Sequence, residues 1–191
     1  MRFTTALAVT TLLFAGSVQA DDNSENSNNA CPVGLVSGLA LDTEFGPGVA
    51  ALTKCNDKRH NVKVVFQLNA NAGCYGLGNI TNVIDDYEIT HGMVRGRDYQ
   101  LAAIVHSAGG TMMVKNGVNG FANPCEAQVS ALIAKGVKFY FCQNTTRAYL
   151  GNGRLTAGMV KEQVIDGVEY VTAGLGALGD FQSRGWKYVQ P

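Results

Sequence analysis

The sequence predicts an α/β fold built on a mainly parallel sheet of five strands. Short runs rich in β-branched and aromatic residues alternate with segments whose apolar residues recur at helical spacing. Strands separated by helices are joined by right-handed crossovers, which make neighbouring strands parallel. In such a sheet, ligands and chemistry collect at the carboxyl ends of the strands. The residues that follow each predicted strand are therefore the candidates for a functional site.

The first two predicted strands are residues 62–68 and 99–105, both largely apolar, as expected of strands buried on two faces. The first strand is bounded by Asn69, Asn71 and Gly73, which favour a turn. Between the strands, one helical face carries Leu77, Ile80, Val83, Ile84 and Tyr87. This order predicts the first strand–helix–strand unit.

The next helix has the clearest start signal in the chain. Asn123 suits the N-cap, Pro124 the first helical position and Glu126 the third, and Gly136 suits the end. An apolar stripe of Val129, Leu132 and Ile133 lies between them. Residues 137–141 then form a third predicted strand that leads directly into Cys142.

The remaining elements are shorter. Helices are predicted near residues 145–150 and 156–163, a fourth strand at 168–171, a helix at 175–183 and a fifth strand at 186–189. Residues 62–191 are thus predicted to form one α/β domain.

The start of the chain is typical of a secretory signal. Arg2 precedes an apolar run of about a dozen residues, and Val18 and Ala20 place small residues where a signal peptidase cleaves. The run is shorter than the roughly 20 apolar residues that span a bilayer. We therefore expect a signal peptide at residues 1–20, a polar linker and irregular extension at 21–61, and a periplasmic or secreted product without a membrane span.

The charge balance argues against a nucleic-acid partner. The chain has 15 Lys+Arg and 15 Asp+Glu, for a formal net charge of zero. A protein that binds phosphate backbones normally carries a basic excess. With 46% hydrophobic and 16% charged residues, the composition indicates a folded domain rather than a disordered chain.

Export changes how the five cysteines are interpreted, because an oxidising compartment permits disulfides. They are Cys31, Cys55, Cys74, Cys125 and Cys142. The odd number leaves at least one thiol free or in an intermolecular bond. No two have Cys-x-x-Cys spacing, and the three histidines form no cluster with ligand spacing, so we expect neither a metal nor an organic cofactor.

Cys142 is the strongest candidate for a reactive residue. A thiol between a strand end and a helix start meets unpaired N–H groups and the positive end of the helix dipole, which favour the thiolate. Thr145 or Thr146 suits the helix cap, and Arg147 adds positive charge one turn on. His106 ends the second strand at the same predicted edge, where it would accept the thiol proton. The alternatives are a cysteine packed as a small hydrophobe and a structural, hydrogen-bonded histidine.

Three blocks in order give the sequence a resemblance to the DsrE/DsrF-like family of sulfur-relay proteins. They are GVKFYFCQNTTR at 136–147, GVEYVTAGLGAL at 167–178 and GWKYVQP at 185–191. The opening strand and the helix after it also fit, so the resemblance covers roughly residues 62–191.

The resemblance implies a compact three-layer domain with helices on both faces of the five-stranded sheet, assembled as a homo-oligomer, a trimer or hexamer. It further implies that Cys142 carries sulfur as a persulfide, as a sulfur carrier or sulfurtransferase would. The partners would be sulfur-donor and sulfur-acceptor proteins or small polysulfides. This chemistry needs a reactive thiol and no cofactor.

Export separates this chain from the typically cytoplasmic relay proteins and leaves alternatives open. Cys74 or Cys125 could pair with Cys142 to form a thiol redox switch, or the four other cysteines could form two structural disulfides. The fold could also serve as a non-catalytic oligomeric binding module. A nucleotide-binding role is disfavoured, because the GLGALG fingerprint at 174–179 leaves only twelve residues for the rest of the motif.

Overall fold

A computed structural model describes residues 43, 45–52 and 60–191. The signal peptide predicted at 1–20 and most of the extension predicted at 21–61 lie outside the described residues, as do Cys31 and Cys55. Within the extension, a short helix, α1, spans Val49–Leu52.

Five strands form one sheet in the order β4-β3-β2-β1-β5, and every neighbouring pair is parallel. The strands are β1 (Val62–Leu68), β2 (Tyr99–Val105), β3 (Lys138–Cys142), β4 (Glu169–Val171) and β5 (Lys187–Val189). The predicted α/β class and five-stranded parallel sheet are therefore confirmed.

The helices are α2 (Tyr75–Asp85), α3 (Glu126–Ala134), α4 (Gln143–Gly151), α5 (Val160–Gln163) and α6 (Gly174–Ser183). A π-helical turn, Asp86–Thr90, extends α2, and 3₁₀ segments occupy Ser107–Met113 and Val118–Gly120. None of the helices in the described ranges combines the length and apolarity needed to cross a bilayer.

Side chains point alternately to the two faces of the sheet along each central strand, and the apolar side chains on both faces are buried. In β1, Phe66 belongs to a large core that also contains the apolar stripes of α2 and α3. Its neighbour Val65 belongs to a smaller core on the opposite face, where Ala177 and Phe181 of α6 pack. Helices on both faces give the three layers that the resemblance implied.

The start of α3 differs from the prediction, since this helix begins at Glu126 rather than Pro124. The Asn123 Oδ1 accepts the Cys125 N–H at 2.9 Å, while its Nδ2 donates to the carbonyls of Met112 and Val114. Glu126 accepts the N–H of Asn116 instead of reaching back to Asn123. These polar groups tie α3 to the segment before it.

Two other boundaries also moved. The helix expected near residues 145–150 begins at Gln143, directly after β3. The helix expected at 156–163 is reduced to α5, because the Thr156 N–H is held by the Gln163 side chain at 2.7 Å rather than by a helical start. The first change matters for function, since it places Cys142 immediately before the first turn of α4.

Cys74 and Cys125 are joined in a disulfide, with Cα atoms 5.5 Å apart and a sequence separation of 51. The bond links the start of α2 to the start of α3, and Cys142 is left free and buried. The alternative in which Cys142 pairs with Cys74 or Cys125 is therefore not the arrangement in the structure. The Cys74–Cys125 bond agrees with the other alternative, in which Cys142 stays unpaired and the other cysteines form structural disulfides.

We expect the disulfide to contribute substantially to stability, because it restricts a loop of about fifty residues in the unfolded chain. The chain-entropy relation gives about 4 kcal/mol for a loop of this length, and measured values are often smaller. The Cys74→Ser/Cys125→Ser double variant should lower the free energy of unfolding by about 2–4 kcal/mol in chemical denaturation. An unchanged denaturation midpoint would contradict the structural role, and adding reductant to the variant provides the control.

Candidate functional site

The candidate site lies where β1, β2 and β3 end at the carboxyl edge of the sheet. Leu68 pairs with Val105 at that edge, and the His106 N–H continues the ladder by donating to the Leu68 carbonyl at 3.1 Å. A cavity of about 750 Å³ opens there. Both Cys142 and His106 line it, so the structure brings these two predicted residues to one cavity.

Cys142 lies between two helix starts. Its Sγ accepts a hydrogen bond from the Gly174 N–H, the first residue of α6, at 3.2 Å. The N–H groups of Asn144 and Thr145, in the first turn of α4, also interact with the sulfur, as does the Thr145 hydroxyl. Polar groups from the starts of two helices therefore lie beside a residue that is only 4% exposed.

These donors decide the acidity of the thiol. Burial by itself raises the pKa of Cys142, because it disfavours the charged form. The hydrogen bonds from Thr145, Gly174 and Asn144 outweigh burial and lower the pKa below its ordinary value. The result is a thiol with increased thiolate character that faces a cavity.

Gly174 reaches the sulfur because it has no side chain. A Cβ at this position would lie 3.0 Å from the Cβ and Cδ2 atoms of His106, closer than ordinary packing allows. The first glycine of the GLGALG pattern thus permits close packing of α6 against the end of β2. This packing accounts for the glycine at position 174 without a nucleotide-binding role.

His106 uses both ring nitrogens in a chain of hydrogen bonds. Its Nε2 lies 2.8 Å from Gln67 Nε2, and its Nδ1 lies 2.9 Å from Ser107 Oγ. The Tyr188 hydroxyl donates to Gln67 Oε1, which leaves the Gln67 amide to donate to His106. We infer that the His106 proton lies on Nδ1 and points at Ser107.

Burial lowers the pKa of His106, so the imidazole is neutral near pH 7. Neither ring nitrogen forms a hydrogen bond to the Cys142 sulfur in the described part of the chain. The structure places His106 beside the thiol, in contact with Gly174, with its nitrogens engaged by Gln67 and Ser107.

Ser107 is positioned by the turn that leaves β2. Its φ of 52° lies in the left-handed region, its N–H donates to Thr145 Oγ1 at 2.9 Å and its carbonyl accepts the Tyr149 hydroxyl at 3.2 Å. Gly109 and Gly110, which follow, allow the backbone of this turn to pack closely against the edge of the sheet. A Cβ on Gly109 would approach the Leu68 carbonyl oxygen within 2.3 Å.

Arg147 does not reach the cavity. Its guanidinium is exposed on α4 and donates to Asn144 Oδ1 at 2.7 Å. Arg154, beyond the end of α4, lines the cavity instead. Sequence reasoning missed Arg154, which lies in a loop with no periodic pattern. It also missed Gln67, whose polar side chain in an apolar strand was the available signal.

The described residues contain no group of three or more His, Cys, Asp or Glu side chains arranged to hold a metal ion.

The two neighbouring threonines of α4 offer a matched test of the thiol environment. Thr145 interacts with the Cys142 sulfur, whereas the Thr146 hydroxyl donates to the Cys142 carbonyl at 3.1 Å. Thr145→Val should slow alkylation of Cys142 by iodoacetamide at pH 7 about two- to tenfold and move its pH midpoint upward, since one hydrogen bond to the thiolate is lost. Thr146→Val should leave that midpoint unchanged. Equal pH profiles for the two variants would contradict this assignment.

The comparison with known proteins shows a similarity of fold. No protein-family model matches the chain, and no curated protein matches it in sequence. A solved structure of MTH1491 from Methanobacterium thermoautotrophicum, a protein of unknown function, is similar at 22% identity and a TM-score of 0.52, covering 69% of this chain and all of that one. The ychN protein of E. coli aligns at 22% identity and a TM-score of 0.46, covering 68% of this chain and 99% of that one. The likeness to MTH1491 shows that both chains have this α/β fold.

Proposed function

We propose that this chain is an exported, DsrE-like protein that handles sulfur through a persulfide on Cys142. The observation that carries the proposal is the free Cys142 thiol, which faces a cavity, accepts a hydrogen bond from the start of α6 and lies beside the first turn of α4. The thiolate is the form of cysteine that attacks sulfur, and those donors stabilise it. The resemblance of the Cys142 segment to sulfur-relay proteins supplies the sulfur chemistry.

The reaction follows from thiolate chemistry and needs no oxidant. The Cys142 sulfur attacks the outer sulfur of a persulfide R–S–SH, forming a new S–S bond, while the bond to the donor breaks. The electron pair leaves with RS⁻, and the proton stays on the transferred sulfur, giving Cys142–S–SH. An acceptor thiolate removes that outer sulfur by the same step and returns Cys142 to its thiolate form.

The proposed partners follow from the resemblance. They are sulfur-donor and sulfur-acceptor proteins or small polysulfides, and the chain would act as a homo-oligomer, a trimer or hexamer. Leu175, which is 70% exposed, borders the cavity that such a partner would approach.

The low exposure of Cys142 favours a second candidate function, a non-catalytic oligomeric binding module of the same fold. A cysteine that is 4% exposed and accepts a backbone hydrogen bond also resembles a structural residue packed at a strand end. The two functions differ in one property, which is the reactivity of the sulfur in the native protein.

Sulfur uptake tests the proposal directly. The purified, unreduced protein is incubated with inorganic polysulfide, and the Cys142 peptide is analysed by mass spectrometry. We expect it to gain the mass of one sulfur atom and lose it to an added thiol. Cys142→Ser should take up none, while the Cys74→Ser/Cys125→Ser variant should still be modified at Cys142. A native protein whose Cys142 stays unmodified or is already disulfide-bonded would support the binding module instead.

The predicted export of the chain can be tested separately. The Cys74–Cys125 disulfide supports an oxidising compartment, because such bonds are rare in the cytosol. The full-length chain expressed in a Gram-negative host should appear in the periplasmic fraction with a mature N-terminus at Asp21, as measured by intact mass. An uncleaved cytoplasmic product would contradict the predicted signal at 1–20.

A further inference from the structure

The cavity at the sheet edge is larger than one sulfur atom requires. Its volume of about 750 Å³ falls within the range of sites that hold small molecules. Its lining includes the Arg154 guanidinium and several amide and hydroxyl groups, and it includes no Asp or Glu side chain. A cavity with a cation and without a carboxylate favours an anionic ligand.

Arg154 is held in the cavity wall by stacking. Its guanidinium carbon lies 4.4 Å from the ring centroid of Phe121 and 5.2 Å from that of Tyr149. Stacking uses the faces of the guanidinium and leaves its N–H edge available. Within the described part of the chain, that edge has no salt bridge and donates no side-chain hydrogen bond.

A second donor comes from Ser107. Because the Nδ1–H of His106 donates to Ser107 Oγ, the hydroxyl proton of Ser107 is free to donate to a ligand in the cavity. The thiol, the Ser107 hydroxyl and the Arg154 guanidinium thus line one cavity. This set fits a molecule with a reactive sulfur at one end and a planar anionic group at the other.

We propose that the cavity binds a small thiol persulfide bearing a carboxylate, with the carboxylate on Arg154 and the outer sulfur at Cys142. This inference rests on the proposed function, because it names the class of sulfur donor that the thiolate attacks. Transfer follows the same balanced step, with the carboxylate-bearing thiolate leaving as RS⁻. A planar guanidinium edge suits a carboxylate, since it can donate two parallel hydrogen bonds.

Two alkylating probes separate recognition of charge from reactivity of the thiol. Iodoacetate carries a carboxylate and iodoacetamide is neutral, yet both modify the same sulfur. We expect the rate ratio of iodoacetate to iodoacetamide at Cys142 to exceed the ratio for a small cysteine peptide by about tenfold. Arg154→Gln should remove that excess with little change in the iodoacetamide rate, because Arg154 is not among the groups that shift the Cys142 pKa.

Arg184→Gln is the matched control. Arg184 also stacks on an aromatic ring, with 4.8 Å to the Phe181 centroid, but it lies at the end of α6 and outside the cavity lining. This variant should keep the wild-type ratio. A wild-type ratio equal to that of the peptide, or an Arg154→Gln variant that keeps the excess, would overturn the inference.

The carboxylate-bearing persulfide of 3-mercaptopropionate completes the test, compared with the persulfide of its neutral amide. Wild type should transfer sulfur from the acid about tenfold faster than from the amide, and Arg154→Gln should not discriminate. Uptake of sulfur from inorganic polysulfide distinguishes failure of the carboxylate site from failure of the sulfur-transfer function. Uptake that continues without acid preference defeats only the carboxylate site, whereas loss of all uptake with the iodoacetate preference intact defeats the sulfur-transfer function.

Discussion

The close contact between Gly174 and His106 governs the geometry of the site, because it joins three elements at one point. His106 directly follows β2, Gly174 starts α6, and the N–H of Gly174 donates to the sulfur at the end of β3. A Cβ at position 174 would lie 3.0 Å from His106, so His106 or the start of α6 would have to shift by a few tenths of an ångström. A buried thiol without such donors would be less acidic than usual, since burial disfavours the thiolate. The environment of Cys142 therefore depends on a backbone contact more than on any charged side chain.

The polar groups around the cavity form a directed hydrogen-bond chain. The Tyr188 hydroxyl orients the Gln67 amide, the amide orients His106, and His106 in turn leaves the hydroxyl of Ser107 as a donor. A neutral histidine suits this role, because its one N–H sets the direction of the chain. The sulfur chemistry proposed for Cys142 would take place in a cavity lined by hydrogen-bond donors, which stabilise anionic sulfur species.

The fold was predictable because its signals are local. The apolar runs at 62–68 and 99–105 match β1 and β2, and the stripe around Leu77 matches α2. The boundaries that moved are those where side chains bond to distant backbone, as Asn123 does with Met112 and Val114. The 3₁₀ segment after β2 had no prediction, since its geometry depends on Gly109 and Gly110 fitting against β1 and α4.

The sequence by itself determined the alternation of strands and helices, and therefore the sheet edge at which Cys142 and His106 meet. Local periodicity specifies elements, and the handedness of crossovers then places strand ends together. Only the tertiary structure decided that Cys74 pairs with Cys125, that Arg147 faces solvent and that Arg154 enters the cavity. These outcomes depend on distances between residues far apart in the chain, which are set when α3, α4 and α6 pack against the sheet. The charge and the thiol environment at this edge are thus products of packing, not of residue order.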